Sequence, residues 1–164
     1  MPNSERRALP VAPRPFEGEV LGGWIGRIAA RYKMSVVEFE GANGLDFGLQ
    51  EPRQWLLMDR LPNPALDVLM DLMRMRRQDI LAIHGPPTVV GQRTAFFYCP
   101  RCVFVNEEDV TAPIWRREWF DERLTSCPRD GREFRSLKPS SVYACKNLNQ
   151  LIAKVSSVQW MLSI

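Results

Sequence analysis

Two short cysteine turns constrain this chain more than any other feature. Cys99-Pro-Arg-Cys102 and Cys127-Pro-Arg-Asp130-Gly131 flank a segment carrying Trp115 and Trp119. Zinc takes four ligands in a tetrahedron, and a tight Cys-Pro-X-ligand turn presents two of them from one loop. A paired arrangement of this kind predicts a small cross-braced module in the second half of the chain. Three ligands are evident: Cys99, Cys102 and Cys127. For the fourth, Asp130 stands three residues after Cys127 and just before a permissive glycine, Gly131. Cys145 is the softer donor but lies apart in sequence, so both stay open, with Asp130 the nearer fit. The competing reading treats the cysteines as small buried hydrophobes without metal.

The apolar spacing before position 93 is helical. Leu21, Trp24, Ile25 and Ile28 form one stripe ending near Lys33. Ser35 then caps a short helix over residues 36–42 that Asn43-Gly44 stops. A loop over 45–64 carries a turn at Trp55 and Leu56. Helices over 65–73 and 76–83 follow, the first with Leu66, Leu69, Met70 and Met73 in register. These two helix–turn–short-helix pairs predict compact helix-turn-helix units. Beyond position 93, residues 95–98 read as an aromatic strand and 114–120 as a strand or short helix. Leu148, Leu151, Ile152, Val155 and Trp160 mark a C-terminal amphipathic helix. The expected fold is therefore an α-rich α+β protein. Residues 1–15 form a mobile proline-rich arm, 16–92 a helix-turn-helix-like domain, and 93–164 a zinc-ribbon-like module with a basic segment and a terminal helix.

Charge and composition narrow the function classes. The net charge is +3, yet positions 123–154 hold seven basic residues against Asp130 and Glu133. Arg129, Arg132, Arg135 and Lys138, with Arg74, Arg76 and Arg77 near the second helical turn, are the candidate contacts to duplex DNA. No apolar run approaches the ~20 residues of a membrane span, and the polar N-terminus does not read as a secretory signal. Four cysteines without a leader favour reduced thiols or metal ligands, which fits a cytoplasmic protein. Nothing argues for catalysis. His84, the sole histidine, reads as the end of a helix, the Glu107-Glu108-Asp109 run as a solvated loop, and Gly22-Gly23 lacks the spacing of a phosphate loop.

Taken in order, the residues resemble a known family. Pro15-Phe16-Glu17-Gly18-Glu19, then Trp24 and Arg27, then helix pairs, the Cys-X-X-Cys, a Trp-rich segment and Cys-Pro-Arg-X-Gly are similar to the TniQ transposition proteins over residues 15–134. The resemblance implies a helix-turn-helix domain followed by zinc ribbons. It also implies a non-catalytic target selector that bridges DNA, or a DNA-bound CRISPR effector complex, to an AAA+ ATPase which recruits the transposase. It places Zn2+ on Cys99, Cys102 and Cys127, with Asp130 where the family usually has His. At this length the chain is similar to the compact adaptors of CRISPR-associated transposons, working at the bacterial nucleoid and binding duplex weakly. A zinc-stabilised helix-turn-helix transcriptional regulator is the alternative.

Overall fold

Helix α1 (Leu21–Arg31) forms where the apolar stripe foretells it, and Leu21, Trp24, Ile25 and Ile28 are fully buried. The chain leaves α1 through a left-handed residue, Lys33 (φ 57°), while Lys33 N bonds Ala30 O and Met34 N bonds Ala29 O. That is a Schellman turn built without glycine. Ser35 then caps α2 (Val36–Ala42) with a full capping box: its Oγ accepts from Glu38 N at 3.0 Å, and its N donates to Glu38 Oε2 at 2.7 Å. The computed structural model describes residues 6–85 and 95–161.

The second helix pair repeats this geometry. Helix α3 (Asn63–Met73) ends at left-handed Arg74 (φ 49°), with Met75 N on Met70 O, before α4 (Arg77–Leu81). A 3-10 turn, Pro52–Leu57, joins the pairs and rests on α1. At Gly22 the contact is backbone to backbone. A Cβ at Gly22 would collide with the Trp55 carbonyl, and one at Gly26 would meet the Trp55 ring.

Beyond the helix pairs, β1 (Phe96–Tyr98) pairs antiparallel with β2 (Arg135–Leu137) in the register Phe96↔Leu137, Phe97↔Ser136 and Tyr98↔Arg135. Between them lies the 3-10 turn Arg117–Phe120, and after them α5 (Pro139–Tyr143) and α6 (Leu148–Met161). Aromatic rings fill this half. Trp115 and Trp119 meet edge to face at 5.1 Å, and Phe96 meets Tyr143 at 5.7 Å. The architecture is thus helix-rich with one small two-stranded sheet. Of the elements, β2 and α5 lie outside the sequence expectations, and 114–120 resolves into a 3-10 turn preceded by a bridge from Arg116 to Glu19.

The halves share one core. Val20 N bonds Trp115 O at 3.0 Å, Arg117 N bonds Gly18 O at 2.8 Å, and Trp55 Nε1 donates to Cys145 O at 2.8 Å. Asn147 Nδ2 reaches Met34 O, and buried apolar residues from both halves form one cluster. The buried apolar cluster thus draws on described residues from either side of 92/93, and the expected boundary itself lies outside the described residues. The segment expected as an arm, residues 1–15, is described in part. Its first five residues lie outside the described set, but residues 9–14 lie along the helices. Leu9 N bonds Leu72 O, Tyr32 Oη donates to Val11 O at 2.6 Å, and Trp24 Nε1 donates to Pro13 O at 2.9 Å. The physical reason is that the proline-rich backbone has carbonyls to spare, and these satisfy buried Trp24 and the Tyr32 hydroxyl.

A buried ion pair ties this strap down. The Glu19 side chain is fully buried and accepts from Arg27 Nε and Nη2, both at 2.9 Å, and from Phe16 N at 3.0 Å. The Arg27 guanidinium also lies 4.8 Å from the Phe16 ring centre and donates to Arg14 O. Burial pushes the Glu19 carboxyl above its ordinary range, and Arg27 offsets only part of that.

Candidate metal centre

The two turns converge as their spacing requires. Strand β1 delivers Cys99 into a tight loop in which Val103 N bonds Cys99 O at 3.1 Å and Cys102 N approaches Cys99 Sγ at 3.4 Å. The second loop is closed by Cys127 N on Arg132 O at 2.7 Å and Gly131 N on Cys127 O at 2.8 Å. Gly131 sits at φ 72°, a conformation an L side chain resists, so the glycine after Asp130 is required by the turn.

The side chains meet at one point. One donor atom from each of Cys99, Cys102, Cys127 and Asp130 lies within 4.8 Å of all the others. Cys102 Sγ and Cys127 Sγ are 3.7 Å apart, and both Asp130 carboxylate oxygens are 3.6 Å from Cys99 Sγ. Tetrahedral corners at zinc bond lengths give edges of about 3.8 Å between two sulfurs and about 3.5 Å between sulfur and oxygen. The donor set fits a zinc-sized ion. All three cysteines are buried, and all four cysteines of the chain are free of disulfides. Burial raises the Cys99 thiol, and burial beside the other two thiols pushes Cys102 up to about 12. Without a cation Cys99 and Cys102 are held toward the protonated form; a dication reverses that preference. Asp130 is shifted the other way, held below the usual carboxylate range first by the Arg132 backbone N–H.

Cys145 is not part of this group. Its thiol donates to Ser141 O at 3.3 Å inside α5, under the Trp55 contact. The open choice of fourth donor therefore goes to Asp130. The basic candidates divide into two sets: Arg74, Arg76 and Arg77 at the α3–α4 turn, and Arg129, Arg132, Arg135 and Lys138 on the second cysteine turn and along β2. Four are already paired with carboxylates: Arg76 with Asp79, Arg77 with Asp67, Arg129 with Glu118, and Arg132 with Asp130. Arg74, Arg135 and Lys138 are exposed without a carboxylate partner among the described residues. His84 N closes the turn after α4 on Leu81 O, and burial lowers its imidazole pKa, with Arg60 adding to the effect. Its Nε2 is buried without a partner among the described residues.

A family model described as TniQ matches residues 10–133. The chain belongs to the TniQ family. The TniQ match takes in both helix pairs and all four candidate ligands, and ends just before β2. The Glu19–Arg27 lock therefore lies in the TniQ region, and the sequence alone marks those residues only as motif positions. Membership associates the chain with transposition. Searches of the curated proteins and of the solved structures gave no significant match. No helix among the described residues is long and apolar enough to cross a membrane.

Proposed function

We propose that this chain is a non-catalytic transposition adaptor that links a DNA target, or a DNA-bound guide complex, to an AAA+ ATPase acting on the transposase. The observation that carries the reading is the TniQ match spanning the helix pairs and the cysteine turns. The physical features agree with it. The clustered thiols and Asp130 supply four donors among the described residues, and a zinc ion there would have all four positions filled by protein, leaving none for substrate. With four of seven candidate cations already paired, the remaining charge suits weak phosphate contacts more than base readout. Helix α4 has five residues, little to lay along a major groove, which disfavours the transcriptional-regulator alternative. The place of work is the bacterial cytoplasm, at the nucleoid.

Co-sedimentation with the cognate AAA+ ATPase on duplex DNA, with nucleotide present, tests the proposal. The chain should pellet with the ATPase–DNA assembly, and bind duplex alone only weakly, with affinity falling steeply as salt rises. Absence of co-assembly refutes the adaptor. Binding of DNA alone with a thousandfold preference for one palindromic site establishes the regulator instead.

A further inference from the structure

We infer that Arg132 is a positioning residue of the metal centre, holding the Asp130 carboxylate in place as its outer partner. Asp130 is the unusual member of the donor set. A Cys3Asp group around a dication carries one more negative charge than a Cys3His group, in a pocket whose cysteines are all buried. Something must offset that charge, and Arg132 is placed to do so. Its backbone N donates to Asp130 Oδ1 at 3.1 Å and its Nε lies 3.5 Å from Asp130 Oδ2. Both carboxylate oxygens are thus oriented from one residue, while both face Cys99 Sγ. The Asp130 side chain is 11% exposed and that of Arg132 60%, so the carboxylate is largely covered while the guanidinium beside it stays at the surface.

A carboxylate bound to a metal through one oxygen has a second oxygen that either swings the group away or is tied by a neighbour. Arg132 is that tie. The other nearby cation in the turn, Arg129, is turned to Glu118 at 3.3 Å, which leaves Arg132 as the cation in contact with the donor set. The same contact withdraws Arg132 from the duplex-facing group in which its sequence position had put it.

Zinc affinity measured by competition with a chromogenic chelator separates this role from general support of the fold. The experiment uses the full chain with Arg132, Arg132→Ala or Arg132→Lys, each with Asp130 or Asp130→His. Arg132→Ala keeps the backbone N–H on Asp130 and removes the guanidinium, so it should weaken zinc binding by about three- to fivefold where Asp130 is the ligand, and by less than about twofold beside Asp130→His, where no carboxylate needs orienting. Arg132→Lys should recover part of the loss. Co2+ absorption bands should shift in Arg132→Ala as the oxygen donor loosens, and stay fixed with Asp130→His. Unchanged affinity, an equal loss beside Asp130 and Asp130→His, or a parent chain that takes up no metal would each overturn the inference.

Discussion

Replacing Glu19 by Gln tests whether the family motif at the N-terminus is a structural lock or a contact surface. The substitution keeps shape and removes charge. It leaves Arg27, whose side chain is only 12% exposed, facing a neutral amide, and weakens the bond from Phe16 N. Breaking a buried ion pair by removing one member costs about 3–5 kcal/mol, because the surviving charge stays desolvated. For a chain of 164 residues that corresponds to a fall in Tm of roughly 10 °C. Replacing both partners, Glu19→Gln with Arg27→Met, removes the stranded charge and should recover a clear part of the loss. Thermal and urea unfolding at fixed zinc concentration measure both quantities. The reasoning fails if Glu19→Gln costs less than about 1 kcal/mol, the range of an exposed pair. It fails equally if the double variant loses the sum of the two single losses, since coupled partners do not add.

Metal analysis should find about one zinc per chain, and chelation, Cys99→Ser or Cys127→Ser should each loosen the region after Phe96. Asp130→Ala should lower zinc affinity and Cys145→Ser should leave it unchanged, the reverse being evidence against the assigned fourth donor. The depressed His84 pKa sets a sign for pH dependence: the unfolded chain takes the proton first, so stability from this group is complete above an ordinary histidine pKa and is lost as pH falls through it to the folded value. Urea unfolding between neutral and mildly acidic pH should show a shallower decline for His84→Gln than for the parent chain; equal slopes would discount burial as the cause.

What the sequence reveals here is what local spacing controls. The stripe of α1 and the Ser35 cap are written within a few residues, and both form where the sequence puts them, with Glu38 completing the cap as a box. The cysteine turns were legible because zinc geometry restricts the interval between ligands. Long-range pairings were not legible. Arg135-Ser-Leu137 is short and polar, and becomes a strand only because β1 lies beside it. The left-handed turns at Lys33 and Arg74 carry no glycine to announce them. Runs of arginine look like a basic face in one dimension, while in three dimensions Arg76, Arg77, Arg129 and Arg132 each hold a carboxylate, three of them ten or fewer residues away. Cys145 illustrates the same point: chemistry alone recommended it, and only its seat under Trp55 removes it.

Helix α1 is held by the Trp115 backbone at one end and backs directly onto the Pro52–Leu57 turn, with no side chain at Gly22 to act as a spacer. A chain built this way is a bracket and not a tether. The helix pairs and the cysteine turns share one core, so the surfaces of the two halves have one relative placement in the structure. On the proposed reading, two assemblies joined through this chain would be held at the one spacing its shared core gives.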